Sequence, residues 1–207
     1  MAFIKKKDTE PFSQDDRKQM RTCPDLLISL EDENATTRRW AARDLVKCTD
    51  SAAALVDRLK RETELSVREV ILSTLTQLGD ATAVGGLVDC LRSEDAALRN
   101  EAVEAMKQLP DEVAPVMRGL LADADPDVRI FTVNVLESLC HPDVESWLID
   151  VITTDQHINV CATAVDLLSE VGTQLALNPL AQLKTRFADE PYIQFAADLA
   201  LRRIREE

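Results

Sequence analysis

Four residues of metal-binding type fall in one short stretch: Cys140, His141, His157 and Cys161. Zinc takes thiolate and imidazole ligands tetrahedrally, so together they could hold one ion. The helical pattern described below sets His141 and His157 at or near the starts of two antiparallel helices, which are opposite ends of the pair. The two cysteines read equally well as small, semi-buried side chains. There is no Cys-x-x-Cys pair, His-Glu-x-x-His, P-loop or dinucleotide glycine fingerprint. Gly85-Gly86 sits inside a helical pattern and marks a close approach of helices rather than a phosphate cradle. No nucleophile stands beside a base at helical spacing. The sequence therefore offers no catalytic residue, and the expectation is a non-enzyme with no cofactor and no metal.

Composition narrows the class. The 207 residues are 45% hydrophobic but only 4% aromatic, with five glycines. That apolar content is mostly Leu, Ala and Val, which suits closely packed helices better than a sandwich or barrel. No stretch approaches the roughly 18 apolar residues of a membrane span, and the start, Met1-Ala-Phe-Ile-Lys-Lys-Lys, has no apolar region after its basic run. The five cysteines (Cys23, Cys48, Cys90, Cys140, Cys161) are odd in number and widely spread, so reduced thiols in a cytoplasmic protein are expected. The formal charge of −13 argues against nucleic acid and anionic lipid as partners, because both demand a positive surface.

A repeat must position whatever function there is. Six segments share one template: Thr37-Arg38-x-x-Ala41-x-x-x-Leu45, Val67-Arg68-x-x-Ile71-x-x-x-Leu75, Leu98-Arg99-x-x-Ala102-x-x-x-Met106, Val128-Arg129-x-x-Thr132-x-x-x-Leu136, Val160-Cys161-x-x-Ala164-x-x-x-Leu168 and Ile193-Gln194-x-x-Ala197-x-x-x-Leu201. The reference column (38, 68, 99, 129, 161, 194) advances by 30 to 33 residues. The positions at −1, +3, +7 and +10 from it fall in one stripe at 100° per residue, so each segment is an amphipathic helix. A capping-type column, Asn34, Glu64, Asp95, Asp125, His157 and Glu190, precedes them, with proline next at 126 and 191. Gly79 and Gly172 stand where a left-handed C-terminal turn is expected. Shorter apolar helices lie between: Asp25–Leu30, Ala52–Lys60, Thr82–Arg92, Glu112–Ala122, Asp143–Thr153 and Pro179–Phe187. One such hairpin cannot bury its stripe alone, so the units must stack. The predicted fold is all-α: a right-handed α-α superhelix of about six helical hairpins over residues 24–207, behind a polar tail, 1–23, in which Ser13 could cap a short helix.

The run Asp125-Pro126-Asp127-Val128-Arg129, with its echoes in the other units, resembles a HEAT repeat of the short bacterial type named after phycobilin lyases. The resemblance covers residues 25–205. It implies either a scaffold or, as the alternative, a bilin lyase or phycobilisome-associated subunit holding an open-chain tetrapyrrole. HEAT-type hydroxylases carry repeated His-Glu pairs and HEAT-type DNA glycosylases are basic; this chain has neither feature.

The helical wheel assigns surfaces. Arg38, Arg68, Arg99 and Arg129 lie on a flank, where a structural ladder to the capping acids of neighbouring units is expected; it breaks at Cys161 and Gln194, so the C-terminal third must be held differently. Positions +1, +5, +8 and +9 point away from the core, toward the side that the resemblance to HEAT repeats implies is concave. There Arg39, Arg43 and Lys47 make one basic end and Arg202 and Arg203 the other, around an acidic middle of Glu69, Glu104, Glu137, Asp166 and Glu170. This nearly neutral face suits a protein partner. Trp40 on the flank, with Ile130 and Phe195 outward, are the apolar candidates for anchors. Phe187, Tyr192, Phe195 and Leu199 cluster in the last unit, which should be polar; a folded-back C-terminus or a contact with another chain, such as a homodimer through that repeat, accounts for them. The expected function is a non-catalytic protein–protein scaffold binding a partner on its concave face.

Overall fold

The computed structural model describes residues 21–206, so the lysine run, Phe3, Ile4 and the helix expected from Ser13 lie outside the described residues, apart from Arg21 at its end. Among the described residues there are twelve α-helices, two short 3-10 turns and no strand. They form six hairpins. The first two are α1 (Cys23–Ser29) with α2 (Ala35–Asp44), and α3 (Ala52–Leu59) with α4 (Leu65–Leu78). Next come α5 (Ala81–Cys90) with α6 (Ala96–Lys107), and α7 (Pro110–Leu120) with α8 (Pro126–Leu136). The last are α9 (Val144–Thr154) with α10 (Ile158–Val171), and α11 (Leu177–Arg186) with α12 (Pro191–Glu206). The second helices pack on one another in an unbroken row from α2 to α12, and the first helices form the other layer. No described helix is long and apolar enough to cross a membrane.

The repeat template is the core. The small +3 residues Ala41, Ala102, Ala164 and Ala197 are wholly buried, as are Ile71 and Thr132 in the same column. Thr132 stays dry because its hydroxyl donates to the Val128 carbonyl at 2.7 Å. Leu45, Leu75, Met106, Leu136 and Leu168 fill the +7 column, fully buried. Each contributes about 2 kcal/mol through removal of its side chain from water.

Local signals set the helix ends. Asn34, Asp95 and Asp125 each accept a hydrogen bond from a first-turn N–H, whereas Glu64 and His157 hold the cap backbone conformation without a side-chain bond. Gly79 takes the left-handed turn at φ 58°, but Gly172 does not: its φ is −73°. Gly172 answers a space requirement instead, since a Cβ there would sit 2.4 Å from the Leu168 carbonyl oxygen. Gly86 is the close approach expected of the glycine pair, its Cα facing Val56 of α3, while Gly85 faces open space.

The arginines join consecutive units. Arg38 donates from Nη1 to the carbonyls of Asp32 and Glu33, and from Nε and Nη2 to both oxygens of Glu62 in the next hairpin, at 2.7 and 2.8 Å. Arg129 repeats the arrangement with Asp123, Ala124 and a bidentate pair to Asp155. Arg68 reaches Asp95 at 2.9 Å. Among the described residues Arg99 pairs with no carboxylate; it holds the Ser93 carbonyl and lies over the Phe131 ring. Only Asp95 among these acceptors belongs to the capping column. Glu62 and Asp155 stand two residues earlier, because that is where the loop carries a carboxylate into reach of the preceding guanidinium. Where the column changes to Cys161, Arg186 at the end of α11 donates to the carbonyls of Ile152, Thr153 and Asp155 and contacts the Cys161 sulfur. Gln194 donates to the carbonyls of Lys184 and Phe187.

One expectation is overturned. Cys23 and Cys48 form a disulfide, with Cα atoms 5.8 Å apart. The reading of five reduced thiols failed because it weighed spacing along the chain, whereas the turn at Leu45–Lys47 brings Cys48 back to the start of α1. Cys90, Cys140 and Cys161 are free thiols. Burial pushes the Cys90 thiol up to about 11 and that of Cys161 upward, so neither is a thiolate at neutral pH.

Two outcomes follow. Gly86→Ala must displace Val56 or separate α3 from α5, and is expected to lower unfolding free energy by about 1–3 kcal/mol in a urea titration; Gly85→Ala should be neutral or stabilising. Burial by itself raises the Glu62 pKa, but Arg38, the Glu64 N–H and Arg58 outweigh it and hold the carboxyl at about 2. The native state therefore gains stability above the ordinary carboxylate pKa, 4.5, and loses it as pH falls from there toward 2. Urea titrations at pH 7 and pH 3 should show this loss in the native chain and a smaller one in Glu62→Gln.

Candidate functional site

The row of second helices presents one continuous face to solvent. Arg39, Arg43 and Lys47 are exposed at its beginning, and Arg202 and Arg203 at its end. Glu69, Glu104, Glu137, Asp166 and Glu170 are exposed between them. Lys107 lies among these acids, 3.2 Å from Glu104 and 2.9 Å from Glu137 in the next unit, and the carboxylates raise its pKa.

The apolar candidates differ in availability. Trp40 is half-buried, and the Arg43 guanidinium lies over its ring at 4.2 Å, so Arg43 rather than the indole face meets solvent there. Arg43 is also tied to Asp44 at 3.0 Å. Ile130 is half-buried and packs against the core. Phe195, by contrast, is 63% exposed, with Tyr192 at 54% and Leu199 at the edge of the same patch. Phe187 packs against the core under Arg186, so it leaves the cluster. α12 runs unbroken from Pro191 to Glu206 and does not fold back over the patch.

Between α8 and α10, next to this patch, a depression of about 230 Å³ is lined by Asn134, Glu137, Thr163, Asp166 and Glu170. Asp166 also accepts from the Tyr192 hydroxyl at 2.8 Å, which fixes the ring between the acidic depression and the exposed Phe195. The +1 and +5 positions identify Phe195, Leu199 and Asp166 from sequence. Asn134 and Thr163 were missed as walls of the depression, because that depends on how far α8 and α10 separate.

The four metal-type residues are not assembled. His141 stacks on Trp147 with centroids 4.9 Å apart, and Cys161 turns to Arg186 and the Asp155 carbonyl. Among the described residues no group of three or more His, Cys, Asp or Glu side chains is placed to hold a metal ion.

Comparison with known proteins places these features. The family model for HEAT repeats matches residues 52–123 and 113–202. Among solved structures, the archaeal HEAT-like repeats protein from Thermococcus onnurineus NA1 is similar at 18% identity, over 89% of this chain and 87% of that one, with a TM-score of 0.50. Cex1p is similar at 14% identity over 89% of this chain and 43% of its own, also with a TM-score of 0.50. The complex of CpcE and CpcF of phycocyanin lyase from Nostoc sp. PCC7120 matches at 17% identity, over 93% and 97% of the two chains, with a TM-score of 0.39. These likenesses concern the fold alone. No curated protein matches the sequence.

Proposed function

We propose, from the premise that this chain belongs to the HEAT-repeat family, that it is a non-catalytic scaffold whose inner face binds one partner protein through an extended segment carrying both basic and apolar residues. The observation that carries this reading is the exposed Tyr192–Phe195–Leu199 patch on the inner face, beside Glu137, Asp166 and Glu170. A solvated helix face gains nothing from a bare phenyl ring, whereas aromatic side chains ringed by polar groups are common anchors of interfaces. Carboxylates next to the ring favour Lys or Arg in the segment and would repel the propionates of an open-chain tetrapyrrole, so the lyase alternative has no observation of its own on this face. Arg39, Arg43 and Lys47 at one end, with Arg202 at the other, supply the opposite charge and set the direction in which a segment of mixed charge lies. Neither nucleic acid nor a membrane surface fits a face whose centre is acidic.

Selection from a random-peptide display library tests the reading. Enriched peptides should combine Lys or Arg with a large apolar residue. Phe195→Ser should weaken them by about tenfold or more, as expected for loss of a central anchor, while leaving the helical circular dichroism unchanged. Enrichment of acidic peptides, or binding indifferent to Phe195→Ser, would contradict it.

A further inference from the structure

The first helices form the outer layer, and their row opens between the fourth and fifth hairpins. α3, α5 and α7 follow one another in contact and α9 touches α11, but α7 and α9 barely meet. The gap is a cavity of about 630 Å³, within the size range of small-molecule sites. Leu121, Trp147 and Val151 give it an apolar wall, and Arg129 of α8, paired with Asp155, and His157 from the loop before α10 complete the lining.

Hydrogen bonding singles this cavity out. Buried side-chain atoms without a hydrogen-bond partner among the described residues belong to four side chains. Arg68 and Glu101 face each other as an ion pair at 3.3 Å and answer each other's charge. The other two atoms, Trp147 Nε1 and His157 Nδ1, belong to residues lining this cavity. Trp147 is only 5% exposed and its ring is held by the stack on His141. A dry indole N–H with no acceptor is costly to the fold, and here it belongs to a residue of the cavity wall.

The charges at the cavity complete the specification. Asp155 is taken by Arg129, and Asp123 by Arg92. Arg118 and Asp150 also line the cavity, both exposed, and neither makes an ion pair among the described residues. The open charges at the cavity are therefore one cation, Arg118, and one anion, Asp150. We propose that the cavity between α7 and α9 binds a short apolar peptide with both termini free. Its carboxylate goes to Arg118, its ammonium to Asp150, and its side chains lie against Leu121, Trp147 and Val151. This site is on the opposite layer from the inner face and does not depend on the function proposed for that face.

Trileucine is the probe. In nitrogen-15 spectra of the full chain the two indole N–H signals, Trp40 and Trp147, are told apart with Trp40→Phe. Trileucine should shift the Trp147 signal saturably and leave that of Trp40 in place. Arg118→Gln and Asp150→Asn, both surface changes that leave the core intact, should each weaken binding by about tenfold, and N-acetyl-trileucine amide should not bind. No saturable shift of Trp147 would overturn the proposal. So would equal binding of the doubly capped peptide, or indifference to both substitutions. Loss of binding in only one variant would overturn the assignment of a zwitterion.

Discussion

A hairpin of about thirty residues has one apolar stripe per helix and nothing inside itself large enough to cover both. In this chain the stripes are covered by the hairpins before and after. The +4 residues Ala42, Leu72, Val103, Val133 and Val165 are buried where another unit follows them, and the same column of the sixth unit holds Asp198, which is polar and exposed. Everything else is built on this dependence. The arginine clamps fix the spacing of units that apolar contact has already brought together. Arg38 and Arg129 each hold their own loop with one edge and the next hairpin with the other. At the start, where α1 is short and leaves Ile28 exposed, the Cys23–Cys48 disulfide ties the first helix to the turn after α2.

The stacking also decides where function can sit. The second helices touch along their whole row, so their outward positions form one uninterrupted face, and any binding there is read from residues thirty apart in sequence. The first helices are less constrained, and where α7 and α9 part the outer layer gains a cavity that no single helix encodes. The two surfaces have different chemistry because they arise differently: the inner face from side-chain choice at fixed positions, the outer cavity from a change in helix spacing.

That difference also explains what the sequence discloses. The period, the buried columns and the outward positions of Arg39, Arg43, Lys47, Phe195 and Arg202 follow from 3.6-residue geometry, and one residue number fixes each. The role of Gly86 was legible because two small residues within an apolar helix imply a close neighbour. The partners of the arginines were less legible, since Glu62 and Asp155 lie in loops whose paths depend on tertiary contacts. The disulfide depends on a contact formed only when the first hairpin closes, whereas the covering of Trp40 by Arg43 is a local i,i+3 contact within α2. Nothing in the sequence singles out Trp147; its place in the cavity wall depends on the spacing of α7 and α9.

The dependence of each hairpin on its neighbours is tested most directly by hydrogen exchange in a chain with one weakened unit. Leu136→Ala removes a fully buried side chain from α8 and leaves the inter-unit polar contacts in place, at a cost of about 2–5 kcal/mol. If stacking supplies the core, amides of α6 and α10 in the flanking hairpins should exchange faster by a factor comparable to that in α8. Acceleration confined to α7 and α8, with α6 and α10 unchanged, would mean that each hairpin is stable by itself and would contradict the dependence of its core on the units beside it.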